Sequence, residues 1–543
     1  MEDQPAGSGS VLLTLASGQF LMALDSSVMN VSIATVADDL GTTVTGIQTA
    51  ITLYTLVMAS LMITGGKVGR ILGRKRAFTI GCVIYGTGSL ITSIAPNLTV
   101  LLIGWSLFEG VGAALIMPAI VALVASNFSR AGRPRAYGLV AASGAIAVAV
   151  GPLIGGLLTT YASWRWVFAG EVVIVAGIVL LARRMADAPA DRTARLDLIG
   201  TALSALGLGL VVFGTIRAGA WGFVNPKPGA PAWLGLSPVV WLVLAGGLVL
   251  FGFFGWERRR QSTGAAVLID PAMLGNKLLR GGLTSFFFQY LLQAGLFFVV
   301  PLFLSVALGL SAIDTGLRIL PLSIALLVAA VGIPKVFPDA SPRLVVRLGF
   351  LSLLAGIVVL AAALEAGVGA AVVTWPMLLA GLGIGALASQ LGSVTVSAVP
   401  DGQSAEVGGV QNSVTFLGAS IGTALAGAVL ISALSSSFIA GIQANPDVPA
   451  TVSAQAAVKL TGGAPFIPDN TLRRALTDAG VTGTAASAIL EENEVARLDG
   501  LRSALIALAV IALIALFFAN GITRTQPRDV VPTEAAGADP GSP

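Results

Sequence analysis

Fourteen long apolar stretches run along the chain, at about 11–35, 46–65, 77–95, 99–125, 136–160, 165–183, 197–216, 237–256, 281–307, 312–333, 345–364, 371–397, 404–431 and 501–522. Roughly 20 such residues cross a bilayer as a helix, so each stretch predicts a transmembrane helix. The polar segments between them are short. The exception is 432–500, Ala/Ser/Thr-rich and partly polar, with helical patterns near 469–478 and 484–498. It is read as an outer hairpin or partial helix pair, not a domain. No Lys or Arg precedes the first apolar run. The chain start therefore lacks a signal-peptide n-region, and that run is read as a retained span.

Composition agrees with the pattern. Hydrophobic residues make up 55% of the chain and charged residues 11%, with a mean hydropathy of +0.89. Soluble domains carry about 25% charged residues, so this is an all-α polytopic membrane protein. Placing the N-terminus in the cytoplasm puts about 22 of the 31 cations in inner loops, as the positive-inside rule expects. The net charge of +4 forms no nucleic-acid stripe. With no His and one Cys, Cys82, the chain cannot build His-based zinc sites, Ser-His or Cys-His catalysis, or an internal disulfide. No metal site and no enzyme activity are expected.

The spans fall into two halves with an insert. A cytoplasmic N-terminus (1–10) precedes a six-helix bundle at 11–184. A linker at 185–280 carries two extra spans, at about 197–216 and 237–256. A second six-helix bundle covers 281–522, including the outer segment at about 432–500, and a cytoplasmic tail follows at 523–543. Doubling of this kind is typical of secondary transporters, which place substrate between repeats near the midplane.

Between the second and third spans lies Gly66-Lys67-Val68-Gly69-Arg70-Ile71-Leu72-Gly73-Arg74-Lys75-Arg76. Five of its residues are cationic and three are glycines. In the fifth span, Gly144, Gly151, Gly155 and Gly156 offer a groove for a neighbouring helix, and Pro152 removes a backbone donor. This pattern fits a helix at a moving interface; it also fits a small-residue packing face in any polytopic protein. Asp25, Glu109 and Glu171 lie inside spans. An intramembrane charge costs about 2.5–3.5 kcal/mol on insertion scales, so each calls for a reason. Met22 and Met29 share a helix face with Asp25, where flexible thioethers suit varied lipophilic cations. Trp105 lies one turn before Glu109, an arrangement that could hold a cation. Without His, carboxylates are the side chains left to carry protons. The alternative is that each acid pairs with Arg, Ser or Asn and only holds helices together. In the ninth span, Gln289 and Gln293 share a face with Phe286 and Phe297, beside Tyr290. This is either a cavity wall or lipid-facing Phe with Gln bonds between helices. Gln411 and Asn412 are further cavity candidates.

Taken together, the chain resembles the major facilitator superfamily, in its fourteen-span multidrug/proton antiporter branch. Residues 66–76 resemble the loop signature G-x-L-x-D-R-x-G-R-[KR]-[KR]. Ala142–Gly156, ending Gly151-Pro152-Leu153-Ile154-Gly155-Gly156, resembles the antiporter motif of span 5. Ser163-Trp164-Arg165-Trp166-Val167-Phe168 resembles the short motif after it. Leu24-Asp25-Ser26-Ser27-Val28-Met29-Asn30-Val31 resembles the acidic motif of span 1, and Gly110-x-Gly112-Ala113-Ala114-x-x-x-Pro118 that of span 4. The resemblance implies proton-driven export of lipophilic, cationic small molecules by alternating access. It implies a multi-pass protein of the plasma membrane, acting as a monomer in the lipid bilayer without cofactor or nucleic acid. Gly66, Gly69, Arg70, Gly73, Arg74, Lys75, Gly151, Pro152, Gly155 and Gly156 would serve conformational change, with Asp25, Glu109 and Glu171 coupling protons. Two departures stand out. Arg70 replaces the family's Asp, which latches the loop in one state, so that latch cannot work the same way. Ser106 replaces an Arg and Glu109 a Gln, so a membrane Arg is lost and an acid gained. The rival functions are export of one endogenous lipid or metabolite and, from another class, a transporter-like sensor or membrane-bound enzyme.

Overall fold

A computed structural model describes residues 8–42, 44–187, 190–191, 194–227, 229–453 and 466–524. The expected tail from 525 onward and part of the outer segment, 454–465, lie outside these. The described chain is helical: α1 (Ser8–Asp39), α2 (Val44–Leu72), α3 (Arg74–Ser93), α4 (Leu98–Asn127), α5 (Arg133–Tyr161), α6 (Arg165–Ala182), α7 (Leu198–Trp221), α8 (Pro238–Ser262), α9 (Lys277–Ala307), α10 (Ala312–Val336), α11 (Pro342–Ala363), α12 (Ala370–Ser397), α13 (Ser404–Ala444), the short α14 (Asp469–Asp478) and α15 (Gly483–Phe518). Twelve of them are long and apolar enough to cross a membrane. The other two long helices, α3 and α5, have 20 and 29 residues.

Local chemistry sets the breaks. Gly73 has φ +98°, a left-handed conformation that ends α2 and lets α3 start at the next residue. Side chains cap the helices that follow loops. Asn97 accepts from Val100 N, Asp197 from Ile199 N, and Asn276 from Leu278 N. Pro238 stands at the start of α8, where its missing N–H is harmless. In the first half of α4, residues Leu102–Glu109 take π-helical geometry. Such wide turns occur frequently at functional sites, and this one carries Trp105 and Glu109.

Helices α1 to α6 pack on one another around one apolar core, and α9 to α13 with α15 around a second. Two seams join these groups. At one, α13 packs on α2 and α4; at the other, α5 packs on α10 and α12. Helix α7 lies along the first seam, touching both α2 and α13, and α8 packs on α7. The outward residues of α8, such as Leu248 and Phe251, are exposed and apolar, as a lipid-facing helix requires.

The helices and the predicted spans differ at two places. The helix of the thirteenth span does not stop near 431. Helix α13 continues to Ala444, 41 residues or about 60 Å, against a hydrocarbon core of about 30 Å. Likewise α15 is continuous from Gly483, so both helices extend past the predicted spans into the segment at 432–500. There Leu434, Phe438 and Ile442 of α13 pack with Ile489 and Ala496 of α15. The fully buried Arg497 donates to Asp469 at 2.6 Å and to Ile467 O at 3.0 Å, tying in α14. Second, helix α5 lies at a seam, but Gly151 and Gly155 of its groove are met from within their own bundle. A Cβ built on Gly151 would lie 2.5 Å from Ser27 Cβ, and one on Gly155 2.9 Å from Val28 Cγ1, both on α1. A Cβ built on Gly156 would meet nothing within 4 Å, and the side chain of Pro152 is outside the described set.

The close approach between groups is made elsewhere. A Cβ on Gly66 would lie 2.5 Å from Ala405 O across the seam, and one on Gly409 would lie 2.8 Å from Met62 O. At the other seam, a Cβ on Gly138 would lie 2.5 Å from Ala330 O. All three sit toward the end bearing the arginine-rich loops, called here the basic end. Because Gly66 opposes only the partner group, Gly66→Ala is expected to leave the protein folded, with an unchanged gel-filtration profile. Transport in vesicles should fall several-fold, because the basic end no longer closes. An unchanged rate would show that the contact is slack.

Candidate functional site

Asp25, Glu109 and Glu171 are separated by long stretches of chain, yet the fold brings them together. Their helices, α1, α4 and α6, converge so that one carboxylate oxygen from each lies within 4.8 Å of the others. All three are at most 1% exposed. Trp105 Nε1 donates to both oxygens of Asp25, at 2.8 and 3.0 Å. Ser89 of α3 donates to Glu171 Oε2 at 3.1 Å, and Thr92 reaches Glu109 Oε1 at 3.5 Å. No Lys or Arg forms an ion pair with any of the three among the described residues. Two carboxylates at this separation repel by at least about 3.5 kcal/mol at an effective dielectric of about 20. Full ionisation of the cluster is therefore strongly disfavoured, and its charge depends on protons or another cation.

The surroundings sharpen the expectations for Trp105 and the methionines. Tyr54 of α2 stacks on the indole at 5.2 Å with the rings nearly parallel. The indole thus gives its N–H to Asp25 and one face to Tyr54. It does not stand open as a cation platform beside Glu109. Met22 and Met29 are buried in the first core. Tyr54, Tyr85, Ser89 and Thr92 were not singled out from the sequence. They are ordinary helix residues, and no local pattern marks them.

At the basic end stands a second charged arrangement. Lys67 Nζ lies 2.8 Å from Glu406 Oε1, and Arg70 Nη1 lies 2.9 Å from the same oxygen. Arg70 also binds Asp191, through Nη2 at 2.9 Å and Nε at 3.1 Å. Glu406 opens α13 and Asp191 lies in the linker before α7, so one guanidinium ties three parts of the chain. The ion pairs here have the opposite polarity to the latch that the resemblance implies: the loop supplies the cations, and the acids come from its neighbours. Lys75 anchors the linker further, donating to Arg183 O and Met185 O, both at 2.8 Å. Arg74 is buried and reaches Ala122 O at 3.4 Å. A Cβ built on Gly69 would make only ordinary contacts. At the opposite end, Trp164 and Arg165 donate to Asp39. These bonds, Trp164's first, hold the Asp39 carboxyl below its usual range.

The remaining candidates lie in the second group. Gln289 and Phe286 are buried, while Tyr290, Gln293 and Phe297 are half-buried. Phe286 and Tyr290 rings lie 6.4 Å apart. Asn412 donates to Gly408 O at 2.9 Å, which uses its amide within α13. Gln289 Oε1 and Gln411 Oε1 are buried acceptors without a hydrogen bond.

Comparison with known proteins agrees with this architecture. The family model described as Major Facilitator Superfamily matches residues 15–423. The puromycin resistance protein of Streptomyces alboniger is 33% identical over 425 residues, covering 76% of this chain and 80% of that protein. A probable actinorhodin transporter of Streptomyces coelicolor is 28% identical, covering 80% and 74%. The tetracenomycin C resistance and export protein of Streptomyces glaucescens is 27% identical, covering 78% and 76%. Among solved structures, a human organic anion transporter superposes with a TM-score of 0.56 at 13% identity, covering 95% of this chain and 100% of that one. A proton:xylose symporter gives 0.56 at 12%, covering 97% and 99%. These two show the fold. The chain belongs to the major facilitator superfamily and is a multi-pass membrane transporter, not an enzyme.

Proposed function

We propose that this transporter exports lipophilic, cationic small molecules from the cell in exchange for protons, by alternating access. The carrying observation is the buried Asp25–Glu109–Glu171 cluster, which has no basic partner among the described residues. Such a site changes charge only by exchanging protons or cations. Its setting, in a chain whose relatives are named for antibiotic resistance and export, supports drug efflux. In this reading the basic end faces the cytoplasm, as does each terminus, and the protein works as a monomer in the plasma membrane without a cofactor. Helices α1 to α6 and α9 to α15 act as the two moving halves, with α7 and α8 as the insert. The arrangement described is then closed toward the cytoplasm by Lys67, Arg70 and Glu406. Protons from outside load the acids, the halves rock, and proton loss inside restores a site that attracts cations. Gln289, Gln293, Phe286, Tyr290, Phe297, Gln411 and Asn412 supply polar and aromatic contacts for substrate. Met22 and Met29 pack behind Asp25.

The test is flux in proteoliposomes under an imposed pH gradient, with ethidium and puromycin as probes. Uptake should follow the gradient and collapse with an uncoupler. Equal uptake with and without a gradient would sink the proton-coupled reading. A second reading, export of a single metabolite, draws support from relatives named for one product each, such as actinorhodin and tetracenomycin C. A panel of toxic cations against cells lacking the protein separates the two. Sensitivity to many favours drug efflux, and sensitivity to none favours the metabolite.

A further inference from the structure

The second group carries an open groove on its outside, between α11 and α15. These helices run antiparallel and are tied together at both ends. At the basic end, Arg343 donates its backbone N–H to Thr523 O at 3.1 Å and its Nε to Ile522 O at 2.7 Å. At the far end, Arg502 Nη2 donates to Leu364 O. Between the ties lies a groove of about 590 Å³, lined by Leu354 and Val358 of α11 and by Ile506, Val510 and Leu513 of α15, with Arg502 at one end. Positions 354, 358 and 361, and positions 502, 506, 509 and 513, recur at helical spacing, so each set forms one stripe. Ala361 and Ala509 are too small to fill the space between their larger neighbours, which leaves the depression.

Depth and charge say what covers this groove. Val358, Ile506, Val510 and Leu513 are exposed apolar residues within spans, so they meet lipid. Leu364 and Arg502 stand at the far ends of their predicted spans, 345–364 and 501–522. From Arg502 to Leu513 the helix rises about 16 Å, about half of a hydrocarbon core of about 30 Å. The groove thus runs from one membrane surface to the midplane, the depth of one acyl chain in one leaflet. Arg502 is half-buried at the headgroup level. Leu364 O takes one of its five N–H donors. The neighbouring Asp499 lies 3.7 Å away, beyond hydrogen-bond reach, and its other oxygen accepts from Ser437 at 2.7 Å. The guanidinium therefore keeps donors for a phosphate, whose oxygens it can bind in pairs. A second copy of the chain fits less well. A two-fold axis along the membrane normal would set concave face against concave face and bring two Arg502 side chains to the same level.

We propose that this groove seats an anionic phospholipid, with one acyl chain between α11 and α15 and the phosphate on Arg502. The bound lipid would fill the depression between the two ties and hold the outer wall of the second group together. The site needs only the membrane setting, so it stands whether or not transport is coupled to protons.

The test is photo-crosslinking of the full-length protein in phosphatidylcholine vesicles. The probes are phosphatidylglycerol and phosphatidylcholine, each with a diazirine in one acyl chain, and labelled peptides are mapped by mass spectrometry. Label on 354–362 and 506–513 is compared with label on α8, whose Leu248 and Phe251 report ordinary lipid contact. The phosphatidylglycerol probe should be enriched in the groove about fivefold over the phosphatidylcholine probe, the worth of one cation beside an anionic headgroup. Arg502→Gln should remove that preference and Arg502→Lys should keep it. Ala509→Phe should lower groove labelling by both probes; if it does not purify, the two Arg502 variants decide. Equal enrichment of the two probes in the natural protein overturns the proposal, as does a preference that survives Arg502→Gln. Weak labelling by both probes, with a Val510→Cys variant that oxidises to a covalent dimer, would show that a second copy covers this face and overturns it too.

Discussion

Glu406→Gln opens the basic end of the transporter. Glu406 is 2% exposed and accepts from both Lys67 and Arg70. Removing its charge leaves a buried ammonium and a half-buried guanidinium side by side with no shared acid. Loss of one partner of a buried ion pair costs about 3–5 kcal/mol, enough to invert a two-state balance that lies within a few kcal/mol. The observable is maleimide labelling of a cysteine placed at Ala405, buried on the seam beside Gly66. Its rate should rise by about a hundredfold or more at this cost. Arg70→Asp should act in the same direction, because it brings a third acid toward Glu406 and Asp191. The effect should be smaller, since Arg70 is about one-third exposed and Lys67 still neutralises Glu406. Labelling rates unchanged in both variants would mean that the ion pairs do not hold this end shut.

Asp25→Asn should abolish gradient-driven transport while leaving the fold intact. Asn keeps an acceptor for the Trp105 N–H, so the packing of α1 on α4 is retained. The group that alternates between charged and neutral is gone. Flux under a pH gradient should drop to that of empty liposomes, and proton release on adding substrate should vanish. Glu109→Gln should do the same if the cluster works as a unit. Both variants retaining proton release and transport would place the coupling site elsewhere.

Much of this was legible in the residue pattern, for identifiable reasons. Apolar runs of span length and cations at alternate loops report on bilayer thermodynamics, which acts residue by residue. Each acid of the cluster stands out singly because a charge inside a span is expensive. Their meeting was hidden. Positions 25, 109 and 171 share no periodicity, and the π-helical turn at Leu102–Glu109 changes which face Trp105 and Glu109 present. The indole therefore finds Asp25, where helical spacing pointed to Glu109. Glu406 escaped notice because an acid in the first turn of a helix reads as a routine helix start. The signal was available in the charge reversal at Arg70, since a half-buried cation must find an acid somewhere. The extension of α13 past the membrane was hidden for a different reason. Ser- and Ala-rich sequence is as compatible with a projecting helix as with a loop.

The position of α7 makes the two seams mechanically unlike. Where α2 meets α13, a third helix lies over the line of contact and grips both sides. Any parting there must shear one of two apolar faces against it. Where α5 meets α10 and α12, neither helix of the insert is packed along the line among the described residues. Under the proposed alternating access, a swing of the two groups would resemble a book bound along one edge: the stitched side bends, and the other side parts more freely.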